Sequence, residues 1–119
     1  SLHKILIMEG TRLNKVSRLL QKDLGDIFQK EGITLFRGKM ITVTSVRVSP
    51  DLGVAKVYIS IFPTDKKEEV LLVVKEHSKQ LRHELAQRVR HQLRVIPELT
   101  FFLDDSLDYI ENIDKLLKS

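Results

Sequence analysis

Between residues 11 and 32 apolar positions recur at three- and four-residue steps: Leu13, Val16, Leu20, Leu24, Ile27 and Phe28 fall on one side of a helix. Thr11 offers a hydroxyl cap ahead of this run and Gly32 a stop behind it, so the spacing predicts a helix between them. Residues 1–10, with a short apolar run and a natural start at Met8, read as an extension, native or left by cloning. Gly25 inside the helix lowers its stability and marks a place where a neighbour packs closely. From Ile41 the period changes to two. ITVTSVRVS and VAKVYISI are rich in β-branched residues and flank Pro50-Asp51-Leu52-Gly53, which predicts an antiparallel hairpin. Residues 54–61 are apolar on both alternating sets except at Lys56 and Ser60. That segment is expected at the centre of the sheet, with Arg47 and Lys56 on or near its exposed face.

Helical spacing then returns through Val70, Val74, His77, Leu81, Leu85, Val89 and Leu93, behind a Thr64-Asp65 cap and the dipole-favoured acids Glu68 and Glu69. The pattern is long for this chain, which predicts two helices or one kinked near residues 75–81. Pro97 stops it and pushes Ile96 towards an extended conformation, leaving residues 99–103 as a third strand. Asp105-Ser106 caps a last amphipathic helix through Leu107, Ile110, Ile113, Leu116 and Leu117. The order is α-β-β-α-α-β, an α+β fold of the type II KH kind over residues 11–119. Helices cover one face of a three-stranded sheet, and a C-terminal helix is added. The crossover through the helix pair makes the third strand parallel to the second.

Charge changes the picture more than composition does. With 119 residues, 42% hydrophobic and 30% charged, the chain is one ordinary globular domain, and no apolar run nears the roughly 20 residues of a membrane span. The absence of cysteine excludes disulfides, thiol nucleophiles and Cys-ligated metals, and fits a reducing, cytoplasmic setting. The net charge of +4 is unevenly placed. Lys79, Arg82, Arg88, Arg90 and Arg94 stand against Glu84 alone in residues 79–94, a surplus equal to that of the whole chain. Arg12, Lys15, Arg18 and Lys22 make a second stripe on the first helix. Residues 104–119 are acidic and are expected to face away from any polyanion. RNA contact is therefore expected at Lys79, Arg82, Arg88, Arg90 and Arg94 first, with Arg12, Lys15, Arg18 and Arg47 behind them. A merely solvated charged face is the competing reading.

Catalytic chemistry has no visible equipment. His77, His83 and His91 are spaced by six and eight residues, which does not align three imidazoles on one helix face, and His77 reads as packed at the core margin. Asp104-Asp105-Ser106 lacks a nearby base and reads as a helix cap. Phosphate-binding glycine loops and nucleophile elbows are missing, so no enzyme activity, cofactor, metal or small-molecule substrate is expected. Phe36, beside Arg37 and near Lys39, can stack on a base or plug the edge of the core.

Three stretches also resemble one family. TRLNKVSRLLQKDLGDIF, MITVTSVRVSPDLGVAKVYISIF and RVRHQLRVIPELTFFLDDSLDYI look like the opening helix, hairpin and closing helix-strand segment of bacterial ribosome-binding factor A, over residues 11–118. The resemblance implies a non-catalytic assembly factor that binds the free small (30S) ribosomal subunit, assists its late maturation and 16S rRNA processing, and is tied to growth in the cold. With no large exposed apolar seam, a monomer is expected. Two departures stand out. No glycine follows Gly53, so the GxxG clamp of RNA-binding KH domains is absent. The family's Ala-x-Gly kink between the paired helices is replaced at about Ser78, Lys79 and Gln80. RNA contact must then rest on cations, so the residues above come from charge and not from a family motif. A general nucleic-acid module and a protein-interaction domain are the alternative readings.

Overall fold

The computed structural model describes residues 2–36, 38–62 and 66–104, with side chains from residue 12 onward. The expected C-terminal helix and the caps at Thr64-Asp65 and Asp105-Ser106 lie outside the described residues. Within them, α1 (Leu2–Glu31), β1 (Met40–Val48), β2 (Val54–Phe62), α2 (Lys67–Glu76), α3 (Ser78–Val89) and β3 (Glu98–Leu103) follow in α-β-β-α-α-β order. β2 is central, antiparallel to β1 and parallel to β3. A parallel neighbour requires a crossover, which the α2-α3 pair supplies. The expected type II KH arrangement is the one observed.

α1 departs from expectation at its start. The backbone is helical from Leu2 straight through Thr11, so Thr11 is not a cap. The preceding Leu, Lys, Met and Glu residues favour this, Gly10 being the weak point. Val16, Leu20, Leu24, Ile27 and Phe28 are buried as expected, but Leu13 only partly. Gly25 has no close neighbour: a Cβ there would meet nothing within 4 Å. Beyond α1, Phe36 is buried against Phe28, with ring centroids 5.6 Å apart, so it plugs the core.

In the sheet, a bulge decides which residues face the core. Tyr58 pairs with Ser45 and Ile59 with Val43, leaving Thr44 as the extra residue. Without it, strict alternation from Ile41 and Val43 would drive Arg47 inward; with it, Val46 is buried and Arg47 is exposed. Gln21 Nε2 on α1 donates to the carbonyls of Val43 and Thr44, both at 3.3 Å, and fixes the distortion. At the turn, Asp51 Oδ1 accepts from Ser49 Oγ at 2.6 Å and from the Gly53 N–H at 3.0 Å. The Ser49 hydroxyl and then the Gly53 amide hold the Asp51 carboxyl below its usual range. A Cβ at Gly53 would lie 3.2 Å from that carboxylate, while Leu52 takes the left-handed φ of 59° and packs against the core.

The helix pair breaks at His77, as the length of the pattern predicts. His77 has φ −96° and ψ 12°, and its N–H bridges the carbonyls of Val73 and Val74 at 3.1 Å each. Its ring Nδ1 also donates to Val73 O at 2.8 Å, while the ring packs edge-on against Phe36. α3 ends at Val89, four residues before Leu93, and Arg90 to Gln92 form a turn.

Candidate nucleic-acid interface

The arginines of α3 do not share one free face. Leu81, Leu85 and Val89 define its buried stripe, and at 100° per residue Arg82 flanks that stripe on one side and Arg88 on the other. Arg82 donates from Nη2 to Ile96 O at 2.7 Å and from Nε to Pro97 O at 3.2 Å, tying the loop after α3 to the helix. Arg88 reaches across to α1, 3.6 Å from Asp26 and 3.9 Å from Asp23. Both guanidiniums thus have partners within the fold. Lys79 is exposed near the start of α3; Arg90 and Arg94 are exposed on the loop beyond its end, Arg90 Nε donating to His91 Nε2 at 3.3 Å. The basic run is one segment in sequence but four places in the structure.

α1 is different. Arg12, Lys15, Arg18 and Lys22 are all exposed. By the same helical angle Lys15, Arg18 and Lys22 lie opposite the buried stripe, between the Asp23/Asp26 edge that meets α3 and the Gln21 edge that meets β1, whereas Arg12 falls on the Asp23/Asp26 side. This is the most coherent cationic strip among the described residues, although sequence reading ranked it second.

The seam between the two helices contains a strained carboxylate. Glu84 on α3 has Oε2 buried without a hydrogen-bond partner. Burial, and then the neighbouring Glu31 carboxyl, push its pKa up from 4.5, while Lys30 and Arg88 pull it back. The folded state therefore holds this proton to a higher pH than the unfolded chain does. Its stabilising effect is complete below the ordinary value and is lost as pH rises through the folded value. Glu84→Gln is accordingly expected to raise stability at neutral pH by on the order of 1 kcal/mol given partial exposure, and Tm with it, and to give no gain below pH 4.5. Thermal melts of both chains across this range check it.

Arg47 occupies a third region, the sheet face that α1, α2 and α3 leave uncovered. It pairs with Lys56, both exposed, and its guanidinium carbon lies 5.9 Å from the Tyr58 ring centroid. Tyr58 in turn stacks on Phe102 of β3, with centroids 5.4 Å apart and planes 26° from parallel. Charge counting missed these rings. The signal was the alternation of VAKVYISI, which puts Lys56 and Tyr58 on one face; Phe102 joins them only once the β2-β3 register is known.

With this geometry established, residues 12–117 match the family model for ribosome-binding factor A. The chain belongs to the ribosome-binding factor A family. It is 49% identical over 114 residues to ribosome-binding factor A of Christiangramia forsetii, covering 92% of this chain and 85% of that protein. The Cytophaga hutchinsonii relative is 47% identical, with 92% and 83% covered. Among solved structures, the crystal structure of Thermus thermophilus ribosome-binding factor A superposes with a TM-score of 0.63 at 29% identity, over 76% of this chain and 94% of that one. A second match, at TM-score 0.58 and 31% identity over 73% and 89%, is the Thermus thermophilus protein as a homology model fitted into a cryo-EM map of its 30S complex.

Against the family pattern, this chain makes its interhelical break without the Ala-x-Gly mark. His77 performs it through the shared N–H and the ring-to-carbonyl bond, just ahead of Ser78. The break thus depends on a side chain instead of on glycine's backbone freedom.

Proposed function

We propose that this chain is a non-catalytic ribosome assembly factor of the cytoplasm, acting as a monomer. It binds the free small (30S) subunit through 16S rRNA, assists late maturation and rRNA processing, and supports growth in the cold. The observation that carries this reading is the exposed strip of Arg12, Lys15, Arg18 and Lys22 on a rigid helix of a family member, facing away from its own core. Lys79, Arg90 and Arg94 add to it at the ends of α3, whereas Arg82 and Arg88 serve the fold first. Residues 1–10 extend the domain and are not required for the contact. A-form RNA offers exposed phosphates and a major groove too deep and narrow for side chains, so cations on a helix read backbone shape more than sequence. Membrane attachment is not part of this role; no described helix is long and apolar enough to cross a membrane.

The deciding experiment is sedimentation of the chain with purified small subunits, large subunits and whole ribosomes, with duplex DNA competing at matched salt. Association with free small subunits in preference to the other particles and to DNA is expected. Equal affinity for duplex DNA would instead make this a general nucleic-acid module.

A further inference from the structure

The uncovered sheet face is built unlike the helical surfaces. Successive cross-strand rows on it read Arg47-Lys56-Thr100, then Ser45-Tyr58-Phe102, then Thr42-Ser60, then Met40-Phe62. All of these residues are exposed or only partly buried, Phe62 at 67% and Phe102 at 37% exposure. Tyr58, half-buried, and Phe102 already stack on each other, and the Arg47 guanidinium lies over the Tyr58 ring, so the surface this pair leaves for a ligand is the Phe102 face turned away from Tyr58 and the exposed ring edges. The cationic row lies one repeat, about 7 Å, along the strands from the ring row, so a base on the rings has its phosphate near Lys56 and Arg47. Among the described residues the acids of this face lie at its ends: Glu98 opposite Val54, one row beyond Lys56 on the side away from the rings, and Asp104 after β3.

We infer that Tyr58 and Phe102 form a stacking platform for unpaired bases of single-stranded RNA, with Arg47 and Lys56 holding the adjoining phosphates. A base gains its stacking energy only if its face is free, so duplex RNA is excluded from the rings although its phosphates still reach the cations. This rests on the reading that the partner is RNA. It adds a second contact, on the opposite side of the sheet from α1, with a different structural preference: α1 engages phosphates of paired or unpaired strands alike, whereas the sheet selects strands that are open.

The test uses the full chain and an unstructured RNA of about ten nucleotides, alongside a duplex of the same length. Tyr58→Val/Phe102→Val keeps strand-forming side chains while removing the rings. It is expected to bind the single strand about 10- to 100-fold more weakly and the duplex unchanged, with cooperative melting retained. Because the chain has no tryptophan, Tyr58→Trp supplies a single indole whose emission the single strand quenches and the duplex does not. Unchanged single-strand affinity of the valine variant, or an indole indifferent to RNA, overturns the platform. So does a wild-type dimer that the valine variant dissolves, since the face would then join two copies. Wild-type sedimentation with small subunits separates the two readings: its loss removes the assembly-factor role, while its persistence with indifferent rings removes the platform alone.

Discussion

Replacing Phe28 by alanine is expected to remove about a third or more of the domain's stability and to lower Tm by roughly 15 °C. Phe28 is 1% exposed, and its ring lies 5.6 Å from Phe36 and 6.0 Å, edge-on, from Phe101. Phe36 in turn meets His77 at the break between α2 and α3. One ring on α1 thus joins β3, the loop before β1 and the helix joint. Truncating a buried phenylalanine costs about 3–5 kcal/mol through lost transfer energy and the cavity left behind. Each aromatic pair adds on the order of 1 kcal/mol to that figure's upper end. Leu72→Ala supplies the contrast: Leu72 is 59% exposed, and its loss is expected within about 0.5 kcal/mol of neutral. Calorimetric melts of the two variants decide the matter. Equal losses would mean that stability follows apolar count and not this ring cluster.

Such a cluster explains what the chain's pattern made legible and what it did not. The two strands and their turn were legible, but the bulge at Thr44 was not: the chain was read as strictly alternating, and the phase slip from Ile41 and Val43 to Val46 shows only in the β1-β2 register. Phe36 was ambiguous, since a loop aromatic beside cations has the same composition whether it faces base or core; only the position of Phe28 resolves it. The end of α3 was misplaced because Leu93 continues the apolar spacing. The chain instead leaves the helix after Val89 into a loop whose Ile96 and Pro97 carbonyls accept from Arg82, 14 and 15 residues back. No local rule reaches that far. The same limit hides which cations have partners within the fold. Counting charge treats every arginine as available, but Arg82 and Arg88 lie beside the core stripe, where neighbouring backbone and the Asp23/Asp26 edge take them up. On α1 Lys15, Arg18 and Lys22 sit opposite the stripe, and among the described residues no element competes for them.

That difference sets the expected result of charge reversal. Arg12→Glu/Lys15→Glu/Arg18→Glu is expected to weaken small-subunit binding more than about 100-fold, because three phosphate contacts become three repulsions. The logarithmic salt slope should flatten by about 2 to 3, roughly 0.7–0.9 for each phosphate released. These side chains are exposed and stand away from the core, so Tm should hold. Lys79→Glu/Arg90→Glu/Arg94→Glu is expected to lose affinity too, by a smaller factor, since its sites are separated. Its fold should also hold, an acid near the start of α3 being favoured by the helix dipole. Arg88 must be left out of any such set. A glutamate there would face Asp23 and Asp26, at the edge of a seam that already strains Glu84, and a loss of binding would then report a loss of packing. Cosedimentation over a salt series, with melts of each variant, separates the outcomes. If the α1 variant binds as the wild type does, the strip is a solvated face and the α3 termini carry the contact. If only the α1 variant fails, the outer face of the first helix does in this chain what the glycine clamp does in RNA-binding KH domains.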